Sequence, residues 1–156
     1  DDGLLTVLAP GINTFGEDPS IDLLIRKFGY RTTPEIMQYV KENVDLLKNL
    51  SAAAHLIHGT TEGRFNVTYC TGGLTKEEVE SVGYDYGDIK QAMQRYDVSK
   101  LTDGWNTDTV TGEKFFYVSN PAVGLWAYRG RFEETGSSKT SASSTSSNKN
   151  KRQKVS

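Results

Sequence analysis

The stretch "LLTVLAPGINTFGEDPSIDLLIRKFG", residues 4–29, decides the fold. It opens as a continuous apolar run closed by Pro10, the pattern of a strand buried on both faces. A loop with two glycines follows. A helix then begins with nearly every start and stop signal in place. Asp18 is the expected N-cap, and Pro19 takes the first helical position, where its missing N–H costs nothing. Ile21, Leu24, Ile25 and Phe28 fall on one stripe, Arg26 and Lys27 complement the dipole in the last turn, and Gly29 can end the helix. Strand, loop and capped helix in that order are the opening of an α/β domain.

Further along, the alternation continues. Thr33 and Pro34 repeat the cap-and-proline opening. Ile36, Val40, Val44 and Leu47 give a second apolar stripe, with a break near Asn43, and Leu50, Ala53, Ala54 and Ile57 give a third that ends at Gly59. "RFNVTYC", residues 64–70, reads as a strand. "TKEE", residues 75–78, is a capping box that opens a short helix running to about Ser81. Asp88 opens another helix, with Ile89, Ala92, Met93 and Tyr96 on one face. "KFFYVS", residues 114–119, is the last strand expected. The order β-α-α-α-β-α-α-β predicts a small three-layer parallel or mixed sheet with helical crossovers. Three strands leave unpaired edges. With an opening, "DDGLL", that passes almost directly into a strand, they read as an incomplete domain, truncated from a larger protein.

Composition bounds the function. The chain has 156 residues, 36% of them hydrophobic, and no apolar run of the roughly 20 residues a membrane span needs. The reading is no membrane partner and a cytoplasmic protein without a signal peptide. Five of the 18 basic residues (Lys139, Lys149, Lys151, Arg152 and Lys154) lie beyond residue 136 with no acid among them, so the body holds 13 basic against 20 acidic residues, a net of −7. An acidic body is a poor match for a phosphate backbone, so no nucleic-acid partner is expected. The two regions are an α/β domain over residues 1–134 and a Ser/Lys-rich tail over 135–156. The tail's composition cannot offset chain entropy, and it is expected to be disordered. Its "KNKRQK" run reads either as a targeting signal or as a solvated end. The lone Cys70 excludes an internal disulfide and, with no base evident beside it, is expected to be a buried structural thiol.

Candidate site residues are few. "AAAHLIHG", residues 52–59, carries the only two histidines. At about 100° per residue, Ser51, His55 and His58 share a face away from the apolar stripe. Three readings are open: solvated or capping histidines, a zinc site completed by Glu62 or Cys70, and a cleft-facing pair that touches substrate. The loop "APGINTFGEDP" lies where open α/β sheets bind ligands, beyond a strand's carboxyl end, and Gly11 and Gly16 allow close backbone approach there. It matches neither G-x-G-x-x-G nor a Walker loop. "YCTGGLTKEE" runs similarly from a strand end to a capped helix whose amides suit a carboxylate or phosphate. Trp105, in the turn-rich "DGWN", is expected to pack on the last strand, and "NPAVGLWAYR" reads as a turn and an apolar segment closing the body.

Taken in order, "DDGLLTVLAPGINTFGE", "AAAHLIHG", "GRFNVTYCTGGLTKEEVESVGYDYGD" and "KFFYVSNPAVGLWAYR" resemble the C-terminal part of the lactate racemase family, over roughly residues 1–130. The resemblance implies two α/β domains facing a cleft and a nickel-pincer nucleotide tethered to a lysine and partly coordinated by histidine. That group takes a hydride from the α-carbon of a 2-hydroxy acid and returns it to either face, while histidines move the hydroxyl proton. The tethering lysine and those histidines belong to the missing N-terminal domain. This chain is therefore expected to bind no metal or cofactor alone, to be inactive alone, and to contribute His55, His58 and Ser51 as substrate-binding residues. The competing expectation is a non-catalytic α/β binding module with a basic targeting tail.

Overall fold

A computed structural model describes residues 3–123. The Ser/Lys-rich tail over 135–156, and most of the closing segment "NPAVGLWAYR", lie outside the described residues. Two compact units are distinguished, Asp1–Tyr117 and Val118–Ser156. The described part of the second holds a single 3-10 turn, Pro121–Val123.

The first unit is an α/β fold, as expected. Its strands are β1 (Gly3–Ala9), β2 (Phe65–Thr71), β3 (Asp85–Asp88), β4 (Gly104–Thr107) and β5 (Lys114–Tyr117). Its helices are α1 (Pro19–Phe28), α2 (Thr33–Glu42), α3 (Val44–Lys48), α4 (Leu50–His58), α5 (Lys76–Ser81) and α6 (Ile89–Arg95). The first three strands form a parallel sheet in the order β1-β2-β3. Among the described residues, no other strand pairs with the outer edge of β1.

The third strand of this sheet is not the one expected. Residues 114–117 pair antiparallel with β4 in a separate hairpin, and the third parallel strand is the four-residue "DYGD" of β3. Two aspartates and a glycine give it no strand signature. It pairs because α5 returns the chain beside β2 and because Gly87 has no side chain. A Cβ there would stand 2.4 Å from Cys70 Sγ and 2.8 Å from Thr68 Cγ2.

The core lies between the sheet and helices α1 to α5. Ile25, Ile36, Leu46, Leu56, Val79 and Val82 are wholly buried, and Tyr69 and Tyr86 from the strands pack against this cluster. Alternation along β2 sends Cys70 to the opposite face, where it is also buried, and α6 packs against all three strands. Burial, and next the charge of Asp88, raise the thiol pKa of Cys70, so it stays protonated and inert.

α1 forms as its sequence dictates. Asp18 Oδ1 accepts from the backbone N–H of Ser20 at 2.7 Å and of Ile21 at 3.2 Å, and Ile21, Leu24 and Ile25 are buried. α2 starts one residue earlier than expected. Thr32 is its cap, with its N–H and hydroxyl both donating to Glu35, while Thr33 N–H donates to Glu62 Oε1 at 2.9 Å. The expected stripes beyond it are out of phase. Val44, Leu47 and Leu50 are exposed, and Leu46, Ala52, Ala53 and Leu56 are the buried residues. Asn43 and Asn49 leave helical geometry, at φ −122° and ψ 112° and 75°, and each break rotates the helix that follows.

In the hairpin, Asp108 sits at the end of β4 with its side chain 3% exposed. Its carboxylate accepts from Val110 N–H at 2.8 Å, Arg95 Nε at 2.7 Å and Thr111 N–H at 3.1 Å, which hold its pKa down to about 2. A depressed carboxyl stabilises the folded form above its ordinary range and loses that contribution as pH falls through its folded value. Trp105 fluorescence is therefore expected to stay flat down to about pH 4 and to change between about pH 4 and 2. Asp108→Asn should alter the signal already at pH 7 and remove the acid step. An unchanged acid step in Asp108→Asn would assign it to another group, such as Asp97, whose hydrogen bonds from Lys100 and Ser99 hold it near the same value.

Candidate functional site

All three parallel strands end at one edge of the sheet, and the crevice beyond such an edge is the ordinary ligand site of an open α/β fold. Two loops meet there, residues 10–18 after β1 and 72–75 after β2. Gly73 N–H donates to Ile12 O at 3.1 Å, joining them directly. Their approach depends on glycine. A Cβ on Gly72 would lie 2.3 Å from the carbonyl oxygen of Pro10, and one on Gly73 would lie 2.6 Å from Asn13 Cβ. Gly16 is needed in the same way, with Ile21 Cγ2 at 2.6 Å from the missing carbon, whereas a Cβ on Gly11 would meet nothing within 4 Å.

The backbone donors of this edge are largely engaged within the protein. Leu74 N–H donates to Thr71 Oγ1 at 3.0 Å, Thr75 N–H to Glu78 Oε2 at 2.7 Å, and Glu78 N–H to Thr75 Oγ1 at 3.2 Å. The anion-binding amides expected at "TGGLTKEE" are thus spent on the capping box and on a buried threonine. To solvent the edge presents the neutral Asn13 and Thr14 together with three carboxylates, Glu17 and Asp18 of the first loop and Asp88 at the end of β3. Asp88 also caps α6, accepting from Gln91 N–H at 2.9 Å.

Behind the loops runs a chain of charges. Phe15 N–H donates to Asp22 Oδ1 at 2.7 Å. Arg26 Nε donates to Asp22 Oδ2 and Arg26 Nη1 to Glu78 Oε1, each at 2.7 Å. The Arg26 guanidinium also lies 5.1 Å from the centroid of the buried Phe15 ring. The Asp22–Arg26 pair, four apart on a helix, is legible in the sequence. Its partner Glu78, 52 residues from Arg26, is not.

The sequence-predicted site residues lie elsewhere. α4 ends at His58 and leads into the first residue of β2, so its last turn is at the amino-terminal edge of the sheet. Gly59 O accepts from the hydroxyl of Tyr84, the residue before β3, at 2.7 Å. Tyr84 stacks on Tyr30 with centroids 4.5 Å apart, and burial raises the pKa of both hydroxyls. His55 is half-buried, with Nδ1 3.5 Å from the Tyr30 hydroxyl, while His58 and Ser51 are exposed. The expected substrate-binding set His55, His58 and Ser51 is therefore not brought to the strands' carboxyl ends: both imidazoles stand at the opposite edge, because the helix that carries them runs back toward the start of β2. A cleft of about 190 Å³ opens on that edge between Tyr30, Arg31, Glu35, Thr60 and Tyr84, and neither histidine lines it. Among the described residues, no three His, Cys, Asp or Glu side chains converge as metal ligands. None of the helices described is long and apolar enough to cross a membrane.

No family model and no curated protein matches the chain. It is similar to a structural-genomics crystal structure of a protein from Thermotoga maritima, with 28% identity and a TM-score of 0.48. The match covers 65% of this chain and 24% of that one, so the chain spans about a quarter of that protein's length.

Proposed function

We propose that this chain is one half of a two-lobed 2-hydroxy acid racemase or epimerase, with the loops over residues 10–18 and 72–75 facing the substrate cleft. The sequence resemblance supplies the reaction class. The observation that carries the placement is the glycine-dependent meeting of the two loops at the carboxyl edge, where Gly72 and Gly73 lie against Pro10, Ile12 and Asn13. Asn13 offers a neutral donor and acceptor for a substrate hydroxyl or carboxylate. Thr14, whose hydroxyl donates to Gly16 O at 2.9 Å, offers an acceptor for a substrate hydroxyl, and the loops supply a wall that orients it. In this reading the nickel-pincer group supplies hydride acceptance when bound. Nothing among the described residues forms a ligand set for it, so no part in holding it is derived for them. His55 stays half-buried beside Tyr30 at the far edge, and in this reading substrate contact passes to the loops.

The test is made in the longer protein that includes the preceding domain. Purified protein is expected to carry nickel and to racemise a 2-hydroxy acid. Asn13→Ala should raise KM about threefold to tenfold, the effect of one lost hydrogen bond, without a change in thermal midpoint. Protein that carries no nickel and racemises no hydroxy acid would leave the second reading, a non-catalytic α/β binding module. One observation favours that reading. Trp105 is 72% exposed on β4 and meets Phe116 of β5 edge-on at 5.5 Å, an aromatic surface remote in sequence from the two loops.

A further inference from the structure

We propose that Arg26 is a positioning residue that ties the two carboxyl-edge loops into one mechanical unit. Each of its two carboxylate partners divides its oxygens in the same way. Asp22 gives one oxygen to Arg26 and the other to the N–H of Phe15 in the first loop. Glu78 gives one to Arg26 and the other to the N–H of Thr75 in the second loop. The result is an unbroken path of four contacts, all at 2.7 Å, from one loop's backbone to the other's. Only a planar fork with separate donors can address two carboxylates along fixed directions, which is why arginine and not lysine suits the junction. The three side chains are 17–35% exposed, so solvent screens them only partly. The stacking of Arg26 on Phe15 fixes the guanidinium from a third direction. α1 and α5 thereby act as levers, and a shift of either loop is felt by the other through the shared cation.

The consequence for substrate binding rests on the reading of these loops as cleft-facing, while the mechanical part does not. The experiment is amide hydrogen exchange on wild-type, Arg26→Met and Arg26→Lys protein. In Arg26→Met the amides of Phe15 and Thr75 are expected to exchange at least about tenfold faster together, with the α4 amides of Leu56 and Ile57 unchanged. Arg26→Lys, which keeps the charge and guards against a variant that fails to fold, should leave at least one of the two amides fast. Retained protection at both amides in Arg26→Met would overturn the proposal. So would a uniform acceleration that includes α4, which would make Arg26 a contributor to global stability alone. In the longer protein, Arg26→Met should raise KM with kcat held within about twofold. Fast exchange at Phe15 and Thr75 with an unchanged KM upholds the positioning role and overturns the placement of the cleft.

Discussion

Leu56→Ala is expected to lower the stability of the domain by about 2–5 kcal/mol, the range for emptying a closed site in a packed core. Leu56 is wholly buried, on the side of α4 that also carries Ala52 and Ala53. Leu50→Ala, on the same helix, is the control. Leu50 is 60% exposed, and its loss should stay within about 0.5 kcal/mol. Urea denaturation of the two variants reads the difference directly. Equal losses would mean that α4 presents a different face to the sheet, and the placement of His55 and His58 at the amino-terminal edge would fall with it.

The second large effect is expected at Gly72. An alanine there must put a Cβ 2.3 Å from the carbonyl oxygen of Pro10, well inside contact distance, and the position of each atom is fixed by its backbone. No rotamer relieves the overlap, so the two loops must part. Overpacking of this kind costs about 1–3 kcal/mol. The separation also strains the bond from Gly73 N–H to Ile12 O, worth about 1 kcal/mol. Gly11→Ala, in the same loop, meets nothing within 4 Å and should be neutral or slightly stabilising. If the loops form the substrate wall, Gly72→Ala also raises KM in the longer protein and Gly11→Ala does not. Identical behaviour of the two variants would show that the loops are free of one another in solution.

Much of this architecture is legible in the chain, and the failures have identifiable causes. α1 is specified entirely by local signals: Asp18, Pro19, the stripe from Ile21 to Phe28, and Gly29. The capping box at Thr75 and the cap at Asp88 are equally local, and both form. What fails is phase. The break near Asn43 is legible, but not the angle through which it and the second break at Asn49 turn the helices that follow, which puts Leu46 and Leu56 in the core and leaves Leu47 and Leu50 exposed. β3 is invisible for the opposite reason. Tyr86 alone among its four residues favours a strand, and only pairing with β2 and the return of α5 make one of them. For the candidate site, sequence locates the two glycine-bearing loops but not the side chains that fix them, since Glu78 joins Arg26 only through the fold. The spacing of His55 and His58 puts them on one helix face, and carries no information about which end of a sheet that helix terminates on.

Among the described residues the outer edge of β1 is unpaired, and this bears on how the domain behaves as a material. Seven residues with no charge and no interior proline present their open side to solvent, with Leu4 65% and Leu5 48% exposed at its start. Apolar, unpaired borders of this kind template the addition of further chains. Preparations of the domain are expected to self-associate as concentration rises, with seeded growth after a lag. A lysine in place of Leu5 would act as a gatekeeper and lengthen that lag.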